Sequence, residues 1–141
     1  MKSAEFLAAV EYLGLTSWYM ARELNVKELD VRYMMAGDQP VSENAEILIK
    51  RMVCDFNACI DQNLKAFESL PEDAQAKAVI PYYRGQREYL QVNGGEGYFK
   101  LGNALSREIA KGCHARGASV NFAYPDEQGF STSLQLFKLC D

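Results

Sequence analysis

The stretch from Leu15 to Ser42, LTSWYMARELNVKELDVRYMMAGDQPVS, is the one around which the rest of the chain can be placed. It reads as two short helices joined by a tight turn. Thr16 suits the N-cap of the first, because its hydroxyl can accept a backbone N–H that the opening turn leaves unpaired. Met20, Ala21 and Leu24 then share one face. Asn25 breaks that helix, and Val26 is expected to pack inward at the turn. Val31 and Met34 give the next helix its buried stripe, and Gly37 stops it.

This spacing matches a helix-turn-helix, in which the second helix is held out to enter the major groove of DNA. An ordinary helical hairpin is the plainer alternative. The apolar residue and threonine, the alanine five residues on, the turn valine, the short third helix and the closing glycine, proline and serine (Leu15, Thr16, Ala21, Val26, Gly37, Pro40, Ser42) resemble the lambda-repressor-like family of bacterial and phage regulators. The resemblance implies base-reading positions at the start and outer face of the third helix: Lys27, Glu28, Leu29, Asp30, Arg32 and Tyr33. It makes Arg32 the first candidate for guanine, and Lys27 and Arg22 partners for phosphate. The N–H groups near Thr16 and Ser17 could hold a phosphate without any charge, and Tyr19 is a further phosphate candidate. This chain departs from the pattern, since the family favours Ser, Thr, Gln and Arg where Glu28 and Asp30 stand. Those carboxylates would face phosphates or accept only from cytosine amino groups.

With 141 residues, 48% of them hydrophobic, the chain is long enough to bury a core as one ordinary domain or two small ones. No stretch has the length of apolar residues needed to cross a membrane, and Glu5 and Glu11 interrupt the start, so a signal peptide is not expected and the reading is cytoplasmic. Cys54, Cys59, Cys113 and Cys140 form no C-x-x-C pair and are expected to be unbridged, mostly core residues. Charge runs against a DNA partner, with 15 basic and 19 acidic side chains. Local clustering matters more than the total, and five of the six cations in residues 1–52 lie between Arg22 and Arg51. Weak non-specific affinity is the expectation.

Before the decisive stretch, Phe6, Leu7, Val10 and Leu13 recur at helical intervals in a first helix over residues 3–13 that should pack on the pair. Trp18 and Tyr19 read as half-buried aromatics. After Pro40, Ser42 can cap a long helix whose stripe of Ala45, Leu48, Ile49, Met52, Phe56, Cys59, Ile60, Leu64 and Phe67 continues to about Ser69, roughly 40 Å at ~1.5 Å per residue. So long a stripe should pack on the second half of the protein or on a second copy. The expected domains are therefore residues 1–70 and 71–141.

In the second half, PEDAQAKA suggests a short helix opened by Pro71. AVIPYY (78–83) is β-like, with Pro81 confined to an edge or strand end. Residues 86–92 form a short helix, and Asn93 to Gly97 a turn that lacks both the Gly-Lys-Ser/Thr ending of a P-loop and the GxGxxG spacing of a dinucleotide site. Leu101, Leu105, Ile109 and Cys113 mark a helix over 98–115. Val120, Phe122 and Tyr124 alternate with Asn121 and Ala123 in a half-buried strand. Residues 131–139 are too short a run to classify. The fold class is thus mainly α with a small α+β part of two or three short strands. The element order, with Tyr89-Leu90 and the Leu101 to Ile109 stripe, is similar to anti-CRISPR-associated phage repressors and their uncharacterised bacterial relatives. That similarity implies pairing through the C-terminal part and repression from an inverted repeat.

Catalytic chemistry is thinly supplied. His114 is the only histidine, and its neighbour Cys113 points about 100° away on a helix, so the two cannot act as base and nucleophile. Cys54 and Cys59 are spaced off a shared ligand face, and neither a metal nor a cofactor is expected. Two functional classes remain. One is a homodimeric DNA-binding repressor. The other is a protein-interaction module, an adaptor or antitoxin-like partner, favoured by the acidic third helix and by Leu29 in an exposed position.

Overall fold

In the computed structural model, which describes residues 1–130, the chain is mainly α: six helices and a two-stranded sheet are formed. Residues 131–139 lie outside the described part. Two compact units divide the chain at Asp55 and Phe56. The sequence places a boundary at residue 70, where the long helix ends. Compactness divides the chain inside that helix: beyond Phe56, Leu64 lies against Gly112 and Glu68 pairs with Arg116, both within the second unit.

The first unit contains α1 (Ser3–Tyr12), α2 (Ser17–Leu24), α3 (Glu28–Ala36) and the start of α4 (Glu43–Glu68). Phe6, Val10 and Leu13 are fully buried, as are Met20 and Val31, and α3 packs on both α1 and α2. Three of the helix ends in this unit have a local cause in a single side chain or glycine. The Thr16 hydroxyl accepts the Tyr19 N–H at 3.1 Å, and the Ser42 hydroxyl accepts that of Ala45 at 3.2 Å. Gly37 closes α3 at φ 87°, where a side chain would be strained.

Along α4 the buried positions Ala45, Ile49, Met52, Phe56, Cys59, Asn63, Leu64 and Phe67 follow the helical period. Asn63 breaks the apolar run, and its amide donates to the Cys59 carbonyl at 2.8 Å, one turn back. In the second unit, β1 (Lys77–Pro81) and β2 (Ser119–Ala123) are parallel, with Lys77 opposite Ser119 and Pro81 opposite Ala123. Parallel strands need a crossover, here α5 (Gln86–Val92) followed by α6 (Phe99–Ala115), which packs on both strands. Pro81 ends its strand, where its missing N–H breaks no ladder. Before β1, the expected short helix is a single 3₁₀ turn, Ala74–Ala76.

Tyr89 on α5 fixes how α5 and α6 meet. A Cβ at Gly97 or Gly102 would lie 2.7 or 2.5 Å from its ring. Only glycine lets the chain come this close. The expected half-buried face of β2 is altered: Val120 and Tyr124 are half-buried, but Phe122 is 48% exposed and Ala123 holds the buried position. α6 covers only part of so small a sheet. Among the described residues, no helix is long and apolar enough to cross a membrane.

Candidate nucleic-acid interface

The turn between α2 and α3 is closed by the backbone. Asn25 takes the left-handed conformation (φ 54°, ψ 48°), which asparagine tolerates better than most residues. The Val26 N–H then donates to the Ala21 carbonyl at 3.0 Å. This reverses the chain and turns Val26 outward, 43% exposed, rather than inward as its apolar character suggested. Met20, Ala21, Val31 and Met34 are the residues buried here.

Because each helical residue turns about 100°, burying Val31 and Met34 sends the opposite face of α3 to solvent. Leu29, Arg32, Tyr33 and Ala36 form that face, all exposed, with Leu29 at 52%. Glu28 and Asp30 stand at its margins and are half-buried. Their place in the first turn suits the positive end of the helix dipole.

Glu28 is engaged on two sides. Its Oε1 accepts the Ser17 hydroxyl at 2.9 Å and Arg32 Nη2 at 2.8 Å, so one carboxylate joins the first turn of α2 to the middle of α3. All three are candidate DNA contacts in the sequence, which did not disclose their bonds to one another. The i,i+4 spacing of Glu28 and Arg32 was the available signal. A second pair has the same spacing: Arg22 lies over the Trp18 ring, 4.9 Å from its centroid. Trp18 is 49% exposed and belongs to the surface of α2, where the sequence suggested packing.

The other expected residues divide by role. Thr16 spends its hydroxyl on the cap, and Tyr19 is half-buried. Lys27 is exposed at the N-cap of α3 without a side-chain cap bond. The Ser17 and Trp18 N–H groups open α2, where no preceding turn can accept them. From Arg22 to Tyr33, three cations (Arg22, Lys27, Arg32) face three carboxylates (Glu23, Glu28, Asp30), so charge is locally balanced. In the second unit, Cys113 is buried and its neighbour His114 exposed, as their divergent directions on α6 require.

A comparison with known proteins finds no family model and no curated protein that the chain matches.

Proposed function

We propose that the chain is a sequence-specific DNA-binding regulator, with α2 and α3 as its helix-turn-helix, acting as a homodimeric repressor on an inverted repeat. The observation that carries this reading is the outward face of α3: Leu29, Arg32, Tyr33 and Ala36 project together while the carboxylates stay at the margins. Arg32 supplies the fork that fits guanine O6 and N7, and Leu29 and Ala36 suit thymine methyl groups. Engaging guanine means releasing Glu28. An exposed i,i+4 ion pair is worth only ~0.3–0.5 kcal/mol, whereas a bidentate base contact discriminates by ~1–3 kcal/mol. Lys27, Arg22 and the opening N–H groups of α2 are the phosphate partners, and a two-fold dimer suits a palindromic site.

Enrichment from a randomised duplex pool tests this. The full chain should select an inverted repeat with a guanine in each half-site, and Arg32→Ala should lose preference at that position. Lys27→Ala should weaken all sequences alike and lower the salt slope by about one per subunit. A pool that yields no enriched sequence would overturn the proposal.

A protein-interaction role is the second reading, supported by the exposure of Trp18, Val26, Leu29 and Tyr33 on α2, the turn and α3. Interface cores favour aromatic residues and few charges. Leu29→Ser would then abolish capture of the partner, with little dependence on salt.

A further inference from the structure

We propose that the second unit carries a binding cleft for a small aromatic carboxylate, a site that does not rest on the DNA-binding reading. An open cleft of about 350 Å³ lies at the carboxyl ends of β1 and β2, lined by Tyr82, Arg107, Phe122, Ala123, Tyr124 and Glu127. Crevices at the carboxyl ends of parallel strands are the usual ligand positions in α/β sheets. The size is near the lower end of the ~300–1,000 Å³ found for small-molecule sites, suiting one or two rings.

The walls of the cleft are held firmly. The Ser106 hydroxyl donates to the Pro81 carbonyl at 2.6 Å. The Asn103 side chain bonds both backbone groups of Tyr83, accepting its N–H at 3.0 Å and donating to its carbonyl at 2.8 Å. Between these anchors the Tyr82 N–H donates to the Ala123 carbonyl at 3.0 Å, extending the strand pairing by one residue. Tyr82 is thus fixed in the backbone on both sides. Its ring meets Phe122 edge to face, with centroids 5.3 Å apart and planes at 69°, and Phe122 remains half exposed.

The charge comes from α6. Arg107 Nη1 donates to the Tyr82 phenol oxygen at 2.6 Å, which aims the guanidinium along the ring wall. A guanidinium carries five N–H donors, and among the described residues the Tyr82 oxygen takes one of them. Among the described residues Arg107 has no carboxylate partner, whereas Arg84, 4.0 Å from the Tyr124 ring centroid, is held by Glu88 and Asp126. A guanidinium fork beside two rings fits a carboxylate borne on a flat ring. Glu127, whose carboxylate accepts the Tyr124 N–H at 2.8 Å, adds a negative charge to the lining. It would repel a second anionic group, so the cleft suits a ligand whose single carboxylate sits at Arg107 over polyanions such as nucleotides.

Isotope-labelled full chain, without DNA, should be titrated with benzoate and indole-3-carboxylate, and in parallel with benzyl alcohol and adenosine monophosphate. The carboxylates should shift the amide signals of Tyr82, Phe122, Ala123 and Tyr124 saturably. Arg107→Met should weaken them about tenfold or more, the loss expected for a hydrogen bond to a charged group, with the rest of the spectrum unchanged. Benzyl alcohol should not respond to that variant. Three results would overturn the proposal: neither carboxylate shifting the cleft signals, equal carboxylate affinity in Arg107→Met, or tighter binding of the nucleotide. None of them bears on the DNA reading, which is tested separately.

Discussion

Replacing Gly102 with alanine sets helix preference against packing. Gly102 lies inside α6, where alanine is favoured over glycine by ~1 kcal/mol. The added Cβ would stand 2.5 Å from Tyr89 Cε2 and 3.1 Å from its Cζ. Carbon atoms sit comfortably at ~3.5–4.0 Å, so the ring would have to retreat by about 1 Å. It has little room. Its other edge already faces Gly97, and Tyr83 packs against it at 4.8 Å with planes at 80°. Overpacking costs ~1–3 kcal/mol, and a contact as short as 2.5 Å belongs in the upper half of that range, so after the helix gain the variant should be less stable by roughly 1 kcal/mol and at most about 2 kcal/mol. Urea unfolding followed by circular dichroism should show a lower midpoint with an unchanged slope. Made in a Tyr89→Leu background, the same substitution should become neutral or stabilising, because a leucine can turn aside. A midpoint equal to or above that of the natural chain in the Tyr89 background would refute the steric reasoning.

Glu28→Ala should cost about 1 kcal/mol, from an exposed ion pair and a half-buried hydrogen bond to Ser17. By freeing Arg32 and removing a negative charge it should also raise affinity for random duplex, read from titrations over a range of salt. Cys54 is exposed, whereas Cys59 and Cys113 are buried. Burial also pushes the Cys113 thiol up, so in a Cys140→Ser background a single thiol, Cys54, should react quickly with a thiol reagent under native conditions. Burial, with Tyr83 beside it, pushes the Tyr89 phenol up to about 12, above the ~10 of an unfolded chain. The neutral phenol is therefore fully stabilising below about pH 10, and this contribution is lost as pH rises from about 10 to 12. Ultraviolet titration should show a late-ionising tyrosine that Tyr89→Phe removes.

What the sequence disclosed was whatever local chemistry decides. Thr16, Asn25, Gly37 and Ser42 bound their helices through contacts within a few residues, and the Val31 and Met34 stripe follows from helical period alone. Leu29 could be placed outside for the same reason. Features requiring distant partners were not legible. Ser17 meets Glu28 across a turn whose geometry depends on one left-handed residue, and that residue also turned Val26 outward. The cleft joins Tyr82, Arg107 and Phe122 only through a parallel pairing and a two-helix crossover, which no local pattern encodes. Alternation places Phe122 on one face of a half-buried strand with Val120 and Tyr124, but it gives the period of a strand and not the extent of the layer that covers it, and Phe122 is exposed.

If the outward face of α3 reads DNA, as we propose, adding an enriched duplex to isotope-labelled chain and following the amide signals residue by residue will show it on the face itself. The largest shifts should fall on Leu29, Arg32, Tyr33 and Ala36 and on the opening turn of α2, and they should be smaller and more salt-sensitive with random duplex. Shifts that leave α3 untouched, or no difference between the two duplexes, would contradict it.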